Sequence, residues 1–339
     1  MSVLGRYWNS RFATWGPRRP QEAGYSVLVP VPGDLPVFLE LALAVVATQR
    51  AEGRVETLVL PDVLTPEVKR IVERSATSWD GPLTLAPLPY PERVVLPRMR
   101  NPSRNHGVQL ITGVASARSE FVVLHDADLF LMHPSLLDDR VVMAGREDLD
   151  VLGVDPVWDQ WFVEQGVALA ATWDVIARTD WARSFPPSMH MGHRGELLGQ
   201  QHTFDTTLHP QAVSDPARRR VLPSDDVVHF NYVISTYRHL QRSGDGFVDD
   251  RFRILLIRLF IDLFAREPFT YRVPTLEVLA KGMRGEWSPV RYPPPVAEVC
   301  QLYADFRRKV DRILSGPWAP PEATQDLASR LMPFDEYYS

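Results

Sequence analysis

Cysteine is almost absent from this chain. Its 339 residues include a single cysteine, Cys300, which excludes an intramolecular disulfide and any zinc or iron–sulfur site built from several thiolates. A reducing compartment suits such a chain, although the composition does not require one. The metal ligands that the sequence offers in motifs are carboxylates and histidines.

Long apolar runs and a strong excess of positive charge are also missing. The longest apolar stretches, residues 38–47 and 254–265, are too short to span a bilayer, and residues 1–20 lack the continuous apolar segment of a secretory signal. The net charge is −5, from 37 basic and 42 acidic residues, so we expect no general attraction to nucleic acid. We therefore expect a cytoplasmic protein, with peripheral attachment to a membrane left open.

The most informative segment is an apolar strand that ends in two carboxylates. Residues 121–124 are apolar, and Asp126 and Asp128 follow directly. Four consecutive apolar residues indicate a strand buried on both faces of a parallel sheet, and ligands bind beyond the carboxyl ends of such strands. Two carboxylates at that edge suit Mg²⁺ or Mn²⁺. Such an ion can neutralise a diphosphate that departs as a leaving group. The alternative is that Asp126-Ala127-Asp128 only begins a turn.

Strands and helices alternate through the first 130 residues. Strands are predicted at 25–31, 55–60 and 83–88, and helices at 36–50, 66–75 and 102–118. Two of the helices begin with a capping residue followed by proline, at Thr65-Pro66 and Asn101-Pro102. This alternation predicts an α/β fold of the Rossmann-like kind, in which a mainly parallel sheet is flanked by helices.

The pattern is weaker after residue 134. Short strands are predicted at 141–143 and 151–154, a strand and turn at 165–174, a short helix at 179–183, mostly loop at 185–222 and an apolar strand at 227–233. Helices are predicted at 251–266, 275–283, 296–314 and 323–331. The chain is therefore divided into an N-terminal arm (1–22), a catalytic core (23–242) and a helical C-terminal region (243–339).

Four short motifs occur in an order that resembles nucleotide-sugar glycosyltransferases. They are Val29-Pro30, Leu60-Pro61-Asp62, Arg104-Asn105-His106-Gly107 and Asp126-Ala127-Asp128. Over about residues 25–134 the chain is similar to enzymes of the GT-A fold, most of all to the large inverting family 2. The resemblance implies a GT-A fold with a helical C-terminal extension, a nucleotide-sugar half at about 25–134 and an acceptor half at about 135–242.

The resemblance implies a donor site and a metal site. Residues expected to contact the nucleotide-sugar donor are Pro30, Asp62, Arg104, Asn105, Gly107 and Asp126. Asn105 and Gly107 are expected at the start of the helix, in its first turn, where backbone N–H groups and the helix dipole favour an anion. Gly107 and Gly113 could instead allow the helix to pack closely on the sheet, and for Gly113 this role is favoured. Asp126 and Asp128 are the expected residues of the metal site; Asp128 should bind the ion directly, and Asp126 should contact the ribose or a metal-bound water. His229, on a late apolar strand, is expected to complete the metal shell.

A general base is needed to take the proton of the acceptor hydroxyl. Asp205 is the favoured candidate, followed by the pair Asp225 and Asp226, with Glu196 as a further carboxylate. The Glu-Asp signature of family 2 is not clearly present in this segment, so the base and the stereochemical outcome stay open. Inversion is the expected outcome by the resemblance.

Aromatic and histidine residues add three further predictions. Trp158, Trp161 and Trp173 are candidates for a floor on which a sugar stacks, with burial in the core as the alternative. His190, His193, His202 and His209 crowd one segment, but no His-Glu-x-x-His spacing appears, which favours an acceptor-binding loop over a zinc site. The helix at 251–266 is apolar nearly all round, and this predicts burial in the core or contact in a homodimer.

The predicted function is Mn²⁺- or Mg²⁺-dependent transfer of a sugar from a nucleoside diphosphate, with UDP expected, to a hydroxyl of a small molecule or glycan. One alternative is a catalytically idle relative that only binds a nucleotide sugar or a protein partner. Another is a sugar nucleotidyltransferase. That class carries a Gly-rich, Arg-containing loop after the first strand, which Pro32-Gly33-Asp34 is not.

Overall fold

A computed structural model describes residues 7, 10–17, 20–99, 102–154, 160–244 and 252–339 of the chain. The strands of this part are β1 (Glu22–Val31), β2 (Arg54–Pro61), β3 (Leu83–Leu85), β4 (Ser119–His125), β5 (Leu129–Leu131), β6 (Val151–Val154), β7 (Asp174–Arg178), β8 (His193–Leu197), β9 (Gln200–Phe204), β10 (Arg219–Leu222) and β11 (Val227–His229). Seven of them form one sheet in the order β10-β6-β7-β4-β1-β2-β3.

The sheet is mainly parallel. Strand β1 pairs in parallel with both β2 and β4, and β2 pairs in parallel with β3. Strand β7 is antiparallel to its neighbours β4 and β6. The carboxyl ends of β1, β2 and β4 therefore meet at one edge of the sheet, as the fold class predicted from the sequence requires.

Helices cover the sheet and fill the C-terminal part. They are α1 (Val37–Ala47), α2 (Pro66–Ala76), α3 (Tyr90–Met99), α4 (Pro102–Ser116), α5 (Leu136–Arg146), α6 (Gln160–Glu164), α7 (Thr179–Ser184), α8 (Leu208–Val213), α9 (Val233–Ser243), α10 (Arg253–Phe264), α11 (Leu276–Met283), α12 (Ala297–Leu314) and α13 (Pro321–Tyr338). Helix α4 packs closely on the sheet at Gly113, where an added Cβ would lie 2.8 Å from Leu60 Cδ1. The packing role predicted for Gly113 is confirmed.

Several local predictions were wrong. The strand predicted at 141–143 lies inside helix α5, whose first turn carries Asp138 and Asp139. Acidic residues favour a helix N-terminus, whereas a three-residue apolar stretch does not determine a period. The segment predicted as mostly loop, 185–222, contains the hairpin of β8 and β9, helix α8 and strand β10. Helix α3, which contains two prolines, was not predicted.

The C-terminal helices share one hydrophobic core with the sheet. Phe260 of α10 lies 5.8 Å from Phe38 of α1 and 5.6 Å from Phe130 of β5, measured between ring centroids. All apolar side chains of α10 except that of Leu263 are buried, which agrees with the core interpretation of this helix. A homodimer through 251–266 would need these side chains at the surface, so we do not propose one; residue 251 itself lies outside the described part. The three-part division of the chain stays a prediction.

The N-terminal arm packs on the core through aromatic residues. Phe12 is buried, and the indole of Trp15 donates to the backbone oxygen of Phe185 at 2.7 Å. In the described ranges, no helix has both the length and the apolar character needed to cross a membrane.

Candidate functional site

A pocket of about 270 Å³ opens at the carboxyl edge of the sheet. Its walls come from the ends of β1 and β2, helix α4, the turn after β4, and the segment from β11 into α9. Residues predicted from the sequence that line this pocket are Pro30, Asp62, Asn105, Asp126, Asp128, Trp173, Asp205 and His229. The fold thus brings together side chains that are far apart in the sequence.

Asp126, Asp128 and His229 form a group that fits a divalent cation. One ligand atom from each of the three lies within 4.8 Å of the other two, and His229 Nε2 is 3.3 Å from Asp128 Oδ1. Ligands at about 2.1 Å from a Mg²⁺ ion can be no more than about 4.2 Å apart, so small side-chain adjustments would close the group. Two carboxylates and one imidazole suit Mn²⁺ as well as Mg²⁺.

A short antiparallel ladder holds Asp128 and His229, the two later members of this candidate group, close together. Strands β5 and β11 pair so that His229 stands opposite Leu129, the residue after Asp128. The imidazole of His229 also stacks on the indole of Trp173, with centroids 4.5 Å apart and planes at 11°. Trp173 was predicted as part of a sugar-binding floor; it lines the pocket and stacks on His229, the candidate metal ligand.

Helix α4 supplies polar side chains to the pocket wall beside Asp126. His106 Nε2 lies 3.0 Å from Asp126 Oδ1. Burial lowers the pKa of His106, but the carboxylates of Asp126, Asp205 and Asp128 raise it more, so its net pKa shift is upward. Asn105 Oδ1 is buried and has no hydrogen-bond partner among the described residues, which leaves it able to accept a bond from a ligand. Gln109 bridges the ends of two strands by donating to the backbone oxygens of Val31 and Leu60.

Asp62 is held in place from two sides. Its Oδ1 accepts the backbone N–H of Gly33 at 2.9 Å, and its Oδ2 accepts Nη2 of Arg238 at 2.6 Å. The same guanidinium also bonds both carboxylate oxygens of Asp34. Asp62 is therefore a fixed carboxylate at the wall of the pocket.

Other predicted site residues lie outside the pocket lining. Asp226 lies at the far end of β11, where it pairs with His133 at 3.2 Å and is 51% exposed; Asp225 precedes it. The reason is the ladder itself, because β11 runs antiparallel to β5 and places His229, not Asp225 and Asp226, beside Asp128. Gly107 lies in the second turn of α4 rather than in the first, and it packs on Met191, whose Cα would lie 2.8 Å from an added Cβ.

Arg104 and Glu196 are likewise not part of the pocket lining. Trp158 lies outside the described residues.

The histidine-rich segment forms local contacts away from the candidate metal group. His193 Nδ1 donates to the backbone oxygen of Met191 at 2.7 Å, and its Nε2 lies 2.8 Å from His209 Nδ1. His202 stacks on Trp161 with centroids 4.5 Å apart. In the part of the chain that the structure describes, these histidines do not belong to a group of three metal ligands.

Sequence reasoning missed several residues of the pocket, among them His106 and Arg238. His106 stands inside the motif Arg104-Asn105-His106-Gly107, and its one-turn offset from Ser103 and Gln109, which also line the pocket, was the signal available. Arg238 lies nine residues after His229, in helix α9, and no sequence pattern indicates that its side chain contacts Asp62.

Comparisons with known proteins find distant structural similarities. No protein-family model and no curated protein sequence matches the chain. A crystal structure of glucosyl-3-phosphoglycerate synthase from Mycobacterium tuberculosis with Mn²⁺ and UDP-glucose is similar at a TM-score of 0.41 and 14% identity, over 65% of this chain and 79% of that chain. Residues 1–349 of TarS from S. aureus are similar at a TM-score of 0.40 and 16% identity, over 93% and 81%. These similarities assign neither a family nor a substrate to the chain.

Proposed function

We propose that this chain is a metal-dependent glycosyltransferase that moves a sugar from a nucleoside diphosphate, with UDP as the first candidate, to an acceptor hydroxyl. The observation that carries the proposal is the charge of the pocket. Four carboxylates line it, those of Asp62, Asp126, Asp128 and Asp205. A diphosphate is repelled by such a lining unless a cation stands between the two, and three of the lining residues form a group that fits one.

The residues present can hold Mn²⁺ or Mg²⁺. Asp126, Asp128 and His229 would be the ligands, and the bound ion would neutralise the negative charge that develops on the departing diphosphate. His106 stays outside this group and bonds Asp126, so it orients a ligand in the way that outer-shell partners do. Asp62 and Asn105 offer acceptor oxygens at the pocket wall for hydroxyl or N–H groups of the donor.

Asp205 is the proposed general base. It lines the pocket, is exposed, and its Oδ1 accepts the backbone N–H of Thr206 at 2.7 Å, which orients the carboxylate. In the transfer, the acceptor oxygen forms a bond to the anomeric carbon, and the bond from that carbon to the diphosphate breaks. The acceptor proton passes to the Asp205 carboxylate. Displacement from the face opposite the diphosphate would invert the anomeric centre.

A thermal-shift and transfer experiment tests the proposal. Wild-type protein is screened against UDP-sugars and other nucleotide sugars, each with and without Mn²⁺. We expect a rise in Tm that needs both the nucleotide sugar and Mn²⁺, because a ligand that binds the native state stabilises it. Sugar transfer or slow donor hydrolysis should depend on the same metal.

Asp128→Asn should abolish the joint effect of metal and nucleotide, because it removes a charged ligand. Asp139→Asn is the matched control, since Asp139 is an exposed carboxylate of helix α5, and it should respond like wild type. An Asp128→Asn response equal to wild type would contradict the metal site. Metal-dependent binding without turnover of any donor would contradict the enzymatic proposal and favour a binding module.

A further inference from the structure

Arg238 is the one side chain with a permanent positive charge among the described residues that line the pocket. Its Nε and Nη2 donate to the two carboxylate oxygens of Asp34 at 3.0 and 2.7 Å. The same Nη2 donates to Asp62 Oδ2 at 2.6 Å. Two of its nitrogens are therefore committed to two carboxylates, and its charge is balanced locally rather than held ready for a diphosphate.

These bonds tie helix α9 to the donor side of the pocket. Asp34 lies in the turn between β1 and α1, and Asp62 follows the end of β2. Tyr237, the residue before Arg238, adds a second tie because its hydroxyl donates to the backbone oxygen of Asp34 at 3.0 Å. Gly33 of the same turn donates its N–H to Asp62, so the turn, the strand end and the helix form one closed set of contacts.

Helix α9 is itself a wall of the pocket. Its first turn lines the cavity with Val233, Ile234 and Ser235, and Tyr232 before it has a left-handed backbone with φ of 66°. A non-glycine residue with such a φ needs support from its surroundings. The contacts of Arg238, one turn and a half further on, are therefore well placed to decide where this wall stands.

We propose that Arg238 is a positioning residue: by bridging Asp34 and Asp62 it fixes helix α9 and the Asp62 carboxylate at the separation at which the pocket accepts a nucleoside diphosphate. This inference rests on the function proposed above. Bidentate and charge-assisted bonds of a guanidinium hold geometry better than a single flexible ammonium does, which explains the choice of arginine at this position.

The candidate metal group has separate supports. His229 is held by the pairing of β5 with β11, by its stack on Trp173, and by Lys309, whose Nζ donates to the His229 backbone oxygen at 3.0 Å. None of these contacts involves Arg238. Loss of the bridge should therefore weaken nucleotide binding while leaving the binding of Mn²⁺ alone unchanged.

The test uses Asp34→Asn, Arg238→Gln and Arg238→Lys in the full chain. Asp34 does not line the pocket, so an effect of its substitution on nucleotide binding must pass through the bridge. Calorimetric titration with UDP in the presence of Mn²⁺ should show at least tenfold weaker binding for Asp34→Asn and Arg238→Gln, and a smaller loss for Arg238→Lys. Affinity for Mn²⁺ alone, measured by the electron paramagnetic resonance signal of the free ion, should stay within twofold of wild type.

Arg242→Gln is the matched control, because Arg242 is an exposed arginine of the same helix, and it should bind UDP like wild type. Normal UDP affinity in Asp34→Asn would overturn the proposal. This holds even if Arg238→Gln binds UDP weakly, because Arg238 would then act on the nucleotide directly. If Arg238→Gln does not fold, the isosteric Asp34→Asn still decides.

A second readout does not depend on the nucleotide. Hydrogen exchange of the amides in residues 233–243 should be faster in Asp34→Asn and Arg238→Gln than in wild type or Arg242→Gln. If wild-type protein binds no nucleoside diphosphate with Mn²⁺, the proposed function fails, yet the bridge is still tested by this exchange. Unchanged exchange in both variants would overturn the bridge itself.

Discussion

His106 connects the candidate metal group with the acceptor side of the pocket. It bonds Asp126 at 3.0 Å and is influenced by the carboxylates of Asp205 and Asp128. A hydrogen bond to a metal-binding carboxylate restricts the orientations that the carboxylate samples before the ion arrives. A residue that sequence motifs did not single out is therefore expected to tune the site.

His106→Ala should reduce the affinity for Mn²⁺ about tenfold, because loss of an outer-shell partner typically costs 10- to 100-fold. The free-ion resonance signal measures this affinity. His133→Ala is the matched control, since His133 is 63% exposed and pairs with Asp226. Unchanged Mn²⁺ affinity in His106→Ala would show that Asp126 needs no such partner.

Substitutions of Asp205 and Asp226 distinguish the two locations considered for the general base. Asp205→Asn should lower kcat by about 10²- to 10⁴-fold, the range for loss of general base catalysis, with UDP and Mn²⁺ binding retained. Asp226→Asn should transfer sugar at a rate close to wild type, because its carboxylate faces His133 rather than the pocket. Rapid transfer by Asp205→Asn together with a slow Asp226→Asn would reverse the assignment.

At the scale of elements, helix α12 supports the strand that carries His229. Lys309 donates to the His229 backbone oxygen at 3.0 Å, and Arg312 donates to the Asp225 backbone oxygen at 2.5 Å. Phe306 of the same helix faces Phe230, with centroids 6.4 Å apart. A helix from the C-terminal region therefore contacts both ends of β11.

Substituting both Lys309 and Arg312 by Met should weaken Mn²⁺ binding severalfold while lowering Tm only slightly. Both side chains are at the surface, where each such bond contributes about 1 kcal/mol or less. Arg308→Met, a change at an exposed neighbour in the same helix, is the control. An affinity equal to wild type in the double variant would mean that pairing with β5 alone is enough to hold β11.

Strong periodic segments were predictable from the sequence. The strands at 25–31 and 55–60 and the strand that precedes Asp126 were predicted to within a few residues. Long buried apolar runs in a parallel sheet have few alternative structures. The hairpin at 193–204 was missed since its strands are short and half-exposed. Its turn places Leu198 and Gly199 at positive φ, and leucine at the first of these positions does not predict such a turn.

The site was predictable where it follows strand ends, and not where it depends on helix packing. Asp126 and Asp128 follow a strand directly, so the sheet alone dictates their location. Asp225 and Asp226 were candidates for the general base, but only the register of β11 against β5 decides which end of β11 faces the pocket. Arg238 depends on where helix α9 crosses the sheet edge, and no local pattern contains that information.

For the whole molecule, two buried histidines predict a dependence of stability on pH. Burial lowers the pKa of His125 to about 4 and, despite a bond to the Ala182 backbone oxygen, that of His190 to about 4. Both pKa values lie below the ordinary value of 6.5, so the unfolded chain binds more protons between these limits. Stability is then fully present above about pH 6.5 and is lost as the pH falls towards 4.

Denaturant unfolding between pH 7 and 4.5, in the presence of a chelator, measures this dependence. Each histidine should contribute up to roughly 1.4 kcal/mol per pH unit within that window. His190→Gln should flatten the slope by about one proton relative to wild type, and His239→Gln, a change in a partly exposed histidine of helix α9, should leave it unchanged. A wild-type slope in His190→Gln would show that the buried imidazole takes up protons as readily as the unfolded one.

The ladder of β5 and β11 joins segments from opposite halves of the polypeptide, and helix α12, made later still, contacts its second strand. A ribosome therefore releases the acidic pair long before the imidazole and its support are synthesised. We expect chains that end before helix α12 to bind manganese weakly, so capture of the ion would report that translation has passed residue 314.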